Sequence, residues 1–545
     1  MKSIWMLLAA VLISLAWLLP HHYRPWVTYS GEALAFVSLF ILCLIFVKSK
    51  LHIPKITLPI LLLSVLPLMQ LLTGQAFFFS KAFLASGYVF AFWLSIVIAY
   101  NLSLNGAREQ LMQRFSLLLL GAGVATAIIA LCQWLTIEQY FPGLMANLRS
   151  GRPYANFAQP NNMATFLILA LLAALYLYES KMLKLKLLVP SAALLIFAVA
   201  LSQSRTSWVA IACILIYMAY QQYRGYIHIQ WYAVMGWVAV FVASLVFIPH
   251  LASLFAEALD APIKSVDLAR RATGDMSRIA IWNQMVHAIM QQPWWGYGWH
   301  QTSVAYTLVS DTVQGPVWVK SAHNIVLDFI LWNGLVIAVP FFAYLSYWAW
   351  QLHKHIHGVV SVVCMLMMGA ITVHALLEFP LFYSYFLLPF GFLLGILQAQ
   401  NKNTAVWQVS AHFIQVVVLV GGLFMVMIHR DYLVAAPKLA QSSQYEKQPE
   451  KWTLNQPIYL LTEFNDRIEW IRLNPHDPIS KAQLEKIDYM VLNYPIPYDL
   501  LKYARVLAYN GYEAEARTQL KRLETLRGMR VSYESLFMPP SSSAQ

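Results

Sequence analysis

The sequence predicts an all-α protein: a polytopic membrane helix bundle of about 12–14 transmembrane helices, with a long external loop and a small helical C-terminal domain. Three observations predict it. Of 545 residues, 59% are hydrophobic and only 11% charged, less than half the charged share of an ordinary soluble domain. Apolar stretches of about 18 residues, the length that crosses a hydrocarbon core as helix, recur as far as residue 428. The tail beyond them, residues 430–545, holds 15 Lys or Arg and 14 Asp or Glu, the balance of a soluble domain.

In order, the spans lie near 3–19, 31–47, 56–72, 82–100, 115–135, 162–178, 187–202, 207–220, 231–249, 323–350, 359–377, 380–398 and 406–428. "LISLAWLLPHHY" offers no small-x-small cleavage site, so the first span is expected to be a retained helix. Lys and Arg favour the cytoplasmic side of short connections. With the N-terminus inside, that side collects Lys2, Lys48, Lys50, Lys55, Arg108, Arg114, Lys181, Lys184, Lys186, Arg224, Lys354 and Lys402, against Arg24, Lys81, Arg149, Arg152 and Arg205 opposite. The odd number of spans then puts the loop 250–322 and the C-terminus outside.

The membrane part accounts for nearly all of the formal +12 charge, and that basicity is topological. No basic run with interleaved aromatics occurs, so nucleic acid is not an expected partner. Membrane lipids are. Cys43, Cys132, Cys213 and Cys364 all lie in apolar spans without ligand spacing, which argues against disulfides and zinc.

Within the tail, "PYDLLKYARVLAYNGYEAEARTQLKRLETL" reads as two helices about an Asn510-Gly511 turn. It resembles one tetratricopeptide unit. A helical cap and a docking surface are both compatible with a single unit.

Polar groups gather in three external segments. "RSGRPYANFAQPNNMATF" (149–166) carries Arg149, Arg152, Gln159, Asn161 and Asn162; its residues read as a connecting loop whose Pro160 and Asn161 begin a helix, or as the lining of a polar cavity. "SQSRTSW" (202–208) sets Arg205 in a very short turn, where its planar fork suits phosphate oxygens or lipid headgroups. In the long loop, "SRIAIWNQMVHAIMQQP" spaces Ile281, Trp282, Met285, Val286, Ile289 and Met290 for one face of an interfacial helix capped by Ser277, with Arg278 one turn before Trp282. "PWWGYGWH" (293–300) adds interface-seeking aromatics.

The loop closes on "SAHNIVLDFILWNGL" (321–335). His323 stands at the mouth of a span, as a cap or as a base, because an imidazole titrates near neutral pH. Asp328 follows inside the span, where a carboxylate is functional by default. His374 and Glu378 are four apart, and a hydrogen bond suits them better than a metal, for which two groups are too few.

"SRIAIW", "PWWGYGWH" and "SAHNIVLDFILWNGLV" together resemble the signature of the O-antigen ligase and polymerase superfamily, and "RPYANFAQPNNMATFL" resembles its PglL-type branch of bacterial protein O-oligosaccharyltransferases. The resemblance covers residues 150–400. It implies a donor glycan on undecaprenyl diphosphate, transfer on the periplasmic side of the inner membrane to an acceptor hydroxyl of a pilin-like or other exported protein, and neither metal nor other cofactor. The motif histidine maps onto His323, diphosphate-holding arginines onto Arg205 and Arg278, and the branch glutamine onto Gln159 in "AQPN". Arg152 and Asn161 join the substrate-binding set, and the family's external tyrosine has its counterpart at Tyr383 or Tyr385. A ligase acting on lipid A core, an O-antigen polymerase and a transporter or flippase remain alternatives; no repeated halves with broken helices favour the last.

Overall fold

The computed structural model describes residues 2–20, 25–148, 151–259, 277–313, 318–454 and 456–538. Each expected span is helical: α1 (Lys2–Leu18), α2 (Tyr29–Cys43), a broken pair α3 (Leu58–Leu63) and α4 (Leu66–Leu72), α5 (Phe79–Leu102), α6 (Arg108–Trp134), α7 (Pro160–Glu179), α8 (Leu185–Ser202), α9 (Arg205–Tyr223) and α10 (Trp231–Leu259). After the long-loop helices α11 (Ser277–Gln291) and α12 (Thr302–Val309) come α13 (Ile325–Lys354), α14 (Gly358–Ala375), α15 (Ser384–Gln398) and α16 (Ala411–Leu439). Ten stretches among the described residues are long and apolar enough to cross a membrane, and Ser3–Leu18 and Ser384–Gln398 are shorter apolar helices. The chain is a multi-pass, all-α membrane protein.

One expected boundary moves for a physical reason. Residues 406–409 do not join the last span but form β2 (Val406–Val409), antiparallel to β1 (Leu51–Pro54) with Leu51 opposite Val409. Asn101 closes the ribbon, accepting from His52 N at 2.9 Å and donating to His52 O at 2.8 Å. Those two bonds satisfy edge-strand groups that would otherwise be left without partners.

The chain divides into two compact units, residues 1–62, 88–274 and 345–425, and residues 63–87, 275–344 and 426–545. In the first, α7 is the central helix, with 78% of its apolar window buried. It packs on α6, α8, α9 and α14, so the segment leading into its N-terminus opens directly onto the heart of that bundle.

In the second unit, α13 is not one helix. Gly334 (φ +68°, ψ 175°) breaks it, and the freed backbone groups bond to "PWWGYGW": Tyr297 N to Leu331 O at 2.7 Å, Gly298 N to Trp332 O at 3.0 Å, Leu335 N to Pro293 O at 2.8 Å. A break within an apolar span survives only with such partners. A Cβ on Gly334 would lie 2.0 Å from Trp294 O, so the approach demands glycine twice over, for space and for φ. "PWWGYGWH" divides in two: Trp294 and Trp295 are exposed, while Tyr297 and Trp299 are buried against the break.

The tail adds α17 (Ser442–Lys447), α18 (Thr462–Arg472), α19 (Lys481–Asn493), α20 (Pro497–Tyr509) and α21 (Glu513–Arg527) around Trp452, Leu500, Leu507 and Leu523. Asp499 receives Arg467 and, at 2.8 Å, Trp470 Nε1. Lys502 donates to Trp470 O and Ile471 O, both at 2.8 Å, closing the end of α18; burial pushes its amine down to about 8. The loop helix α12 packs on α19 within this unit, with Ser303 Oγ donating to Asn493 Oδ1 at 2.7 Å and Thr307 Oγ1 to Leu492 O at 2.9 Å. Arg522 grips Asp311 through Nε at 2.9 Å and Nη2 at 2.7 Å.

Candidate functional site

In the second unit, the turn before α13 is built on Asp328. Its buried carboxylate accepts from Thr302 Oγ1 at 2.7 Å, Ala322 N at 2.9 Å and Ser321 Oγ at 2.6 Å. Ser321 Oγ in turn accepts from His323 N at 3.0 Å. Asn324 Oδ1, rather than the histidine, caps α13, accepting from Val326 N at 3.0 Å and Leu327 N at 3.3 Å. His323 is thus relieved of the capping role and held half-buried in the left-handed region, φ +52°. Few non-glycine residues adopt that conformation, and here the bonds around Ser321 and Asn324 hold it.

Arg278 belongs to the same frame. Trp282, one turn further along α11, donates its Nε1 to Ala322 O at 3.0 Å, tying the arginine's helix to the histidine's turn. The face of α11 that packs is narrower than expected: Ile281, Met285 and Ala288 are buried, whereas Ile279, Val286 and Met290 are exposed. The cap expected at Ser277 lies outside the described side chains.

His300 shares the left-handed backbone of His323, φ +60°, but not its chemistry. It stacks on Trp332 at 4.9 Å, and burial, with Lys81 adding to it, pushes its imidazole down to about 3. A ring so reluctant to take a proton is a poor general base near neutral pH.

In the first unit, the loop before α7 is built on Gln133, buried in α6. Its amide donates to Ala146 O and Ala155 O, both at 2.7 Å, and accepts from Tyr154 N at 3.1 Å and Ala155 N at 2.7 Å. Asn156 adds bonds to Leu18 O at 2.6 Å and Leu144 O at 2.9 Å. Ala155 and Ala158 both take positive φ in this cradle. Gln159 holds the N-cap position of α7 without capping it; Pro160 begins the helix. Gln159 Nε2 and Asn161 Nδ2 instead donate to the two oxygens of Glu378, at 3.4 and 2.9 Å. His374 Nδ1 meets Thr165 Oγ1 at 2.9 Å, so each member of the His374/Glu378 pair has partners on or beside α7. Among the described residues no group of His, Cys, Asp and Glu could hold a metal ion.

Beside this loop, Arg152 Nε donates to Ser202 O at 2.8 Å. That carbonyl opens the turn that Gln203 makes with φ +47° and that Ser204 caps, its Oγ accepting from Ser207 N at 3.2 Å. Arg205 is the first residue of α9. A cation at a helix N-terminus opposes the helix dipole, so the position costs stability and gathers positive potential together with Arg152. Tyr383 occupies the N-cap position of α15 and stacks on Tyr385, rings 5.3 Å apart. The Tyr385 hydroxyl is buried and makes no hydrogen bond among the described residues. Arg149 lies outside them.

Against known proteins, residues 153–178 match the family described as "Protein glycosylation ligase", the segment running from the Gln133-held loop through α7. Residues 190–342 match "O-Antigen ligase", from α8 past the Gly334 break, and residues 362–526 match "Virulence factor membrane-bound polymerase, C-terminal". The "General O-oligosaccharyltransferase" of Acinetobacter baylyi (strain ATCC 33305 / BD413 / ADP1) is 39% identical over 550 residues, spanning 100% of this chain and 96% of that protein. The chain belongs to the O-oligosaccharyltransferase family. It is a glycosyltransferase. The "ComP-specific O-oligosaccharyltransferase" of the same organism is 29% identical over 396 residues, 71% of this chain and 70% of that protein.

As an O-oligosaccharyltransferase, the molecule shows supporting residues that sequence reading passed over. Gln133 is the lone amide, and Glu32 the lone carboxylate, of an apolar span, a legible signal. Glu32 accepts from Trp26 Nε1 at 3.1 Å and from Thr28 and Tyr88. Thr302 and Ser321, which complete the Asp328 cluster, carry no such signal, since their partner is fixed only by the fold.

Proposed function

We propose that this chain transfers a preassembled oligosaccharide en bloc from undecaprenyl diphosphate to Ser or Thr hydroxyls of exported proteins, pilin-like ones among them, on the periplasmic face of the inner membrane. The observation that carries the reading is the Asp328-held turn, which fixes His323 in a left-handed conformation and, through the Trp282–Ala322 bond, couples it to the helix of Arg278.

In the proposed reaction, His323 accepts the acceptor hydroxyl's proton as that oxygen attacks the anomeric carbon. The bond from that carbon to the diphosphate oxygen breaks, and the diphosphate leaves with the electron pair. Arg205 and Arg278 neutralise its charge by preorganised electrostatics, with Arg152 adding to the potential at Arg205. Gln159, Asn161, Tyr383 and Tyr385 are the proposed substrate-binding groups, the first two oriented by Glu378. Asp328 acts through the turn it holds and is a positioning residue.

The general enzyme's agreement along the whole chain, against the partial match to the ComP-specific one, supports a broad acceptor range. Co-expression with a lipid-linked oligosaccharide and a pilin-like acceptor, with His323→Ala as control, tests the reading by intact mass. A His323-dependent mass increase on the acceptor is the expected result. Glycan found on lipopolysaccharide instead would move the activity to the ligase branch.

A further inference from the structure

One end of the first unit contains a cavity of about 120 Å³ that belongs to none of the groups above. Its walls come from the early turns of α1 and α6, the later turns of α2 and α5, and the middle of α15. The charge bias of the connections assigns this end to the cytoplasmic side. Ser38 and Ser95 reach the cavity, but each hydroxyl donates to a backbone carbonyl, Ala9 O at 2.8 Å and Leu388 O at 2.7 Å. With those hydroxyls committed, the lining is apolar except for Arg114.

Arg114 stands six residues after Arg108, the first residue of α6, about 9 Å along the axis at 1.5 Å per residue. It is exposed on the bundle surface, and its Nη1 touches the Met6 thioether at 3.6 Å. Among the described residues it has no carboxylate partner. At the cytoplasmic end of its span an exposed guanidinium snorkels to the headgroup level, where anions are at hand, and a thioether supplies no charge. An apolar cavity beside an uncompensated planar cation matches one chemistry of the surrounding solvent: a phosphate ester joined to a hydrocarbon chain.

We infer that this cavity binds one anionic phospholipid of the cytoplasmic leaflet, its phosphate on Arg114 and the upper part of one acyl chain in the apolar pocket. The guanidinium fork receives two phosphate oxygens, and the pocket's apolar lining gains the dispersion contacts that a void denies it. The site shares no residue with the transfer chemistry.

Native mass spectrometry of the full chain, released from vesicles of equimolar phosphatidylglycerol and phosphatidylcholine, tests this. The wild type retains one phosphatidylglycerol in preference to phosphatidylcholine. Arg114→Gln lowers that preference roughly tenfold, the loss of about one charge-assisted bond, and Arg114→Lys keeps most of it. Ala10→Phe, which fills the cavity but leaves the cation, lowers retention of both lipids. Unfolding temperatures near wild type establish that each variant is folded, and the lysine and phenylalanine variants decide the matter if the glutamine variant is not. Equal retention of the two lipids by the wild type, or undiminished preference in Arg114→Gln, overturns the inference. So does displacement of phosphatidylglycerol by undecaprenyl phosphate added to the same vesicles, which would give the cavity to the carrier lipid.

Discussion

Residues 321–324 of the second unit and residues 144–148 and 151–159 of the first both carry backbone that neither helix nor sheet satisfies, and they are held by different chemistry. The first turn hangs on a carboxylate, Asp328, which only accepts; the second hangs on an amide, Gln133, which gives two bonds and takes two. A buried carboxylate makes strong bonds but depends on every neighbour being a donor. An amide makes weaker bonds but fixes which neighbour donates and which accepts. The histidine turn is therefore vulnerable to loss of charge, and the α7 loop to any change in donor pattern.

Five substitutions break or sharpen this comparison. The largest effect belongs to His323→Ala, which removes the proposed base and should lower kcat by roughly 10²–10⁴-fold while leaving thermal unfolding unchanged. Arg278→Ala, on the same frame, should raise the barrier by roughly 2.7–4 kcal/mol, by analogy with deletion of one oxyanion donor; full activity in a kinetic assay would remove it from the chemistry. Next come the isosteric swaps at the two anchors. Asp328→Asn removes the charge and turns an N–H₂ toward Ser321, whose hydroxyl must reverse from donor to acceptor, and Gln133→Glu loses two donors. Each should cost about 1–3 kcal/mol, read as a fall in unfolding temperature, and Asp328→Asn should also slow transfer. A neutral Asp328→Asn would show that the charge is dispensable and erase the contrast. The smallest effect is Arg522→Ala, which removes one of the ties between the tail and the segment just after α12, at a part-exposed pair; about 1 kcal/mol is expected. Denaturant unfolding measures it, and a loss several times larger would mean the tail supports the histidine turn as strongly as Asp328 does.

The spans were legible because apolar length is a direct physical requirement of the bilayer, and the candidate residues because polar groups at span ends are few. The break at Gly334 was not, since "DFILWNGLVIAV" keeps its apolar character straight through it and the compensating partners lie about forty residues earlier. The two-stranded ribbon escaped for a similar reason: its strands are four residues each and more than 350 positions apart. The sequence spaces α11 for one broad apolar face, but packing on α12 buries only the narrower stripe of Ile281, Met285 and Ala288. Ile279, Val286 and Met290 form the exposed stripe beside it. Gln133 was readable as a lone amide in a long span; what it holds was not, because its four partners lie in a loop that only the folded bundle brings to it.

The most direct test of the central claim is single-turnover transfer in proteoliposomes loaded with a lipid-linked oligosaccharide and supplied with a serine-containing acceptor, comparing wild type with His323→Ala and His323→Gln. If His323 is the base, both variants bind the donor as the wild type does and transfer at least about a hundredfold more slowly. Transfer at the wild-type rate by either variant would contradict the account.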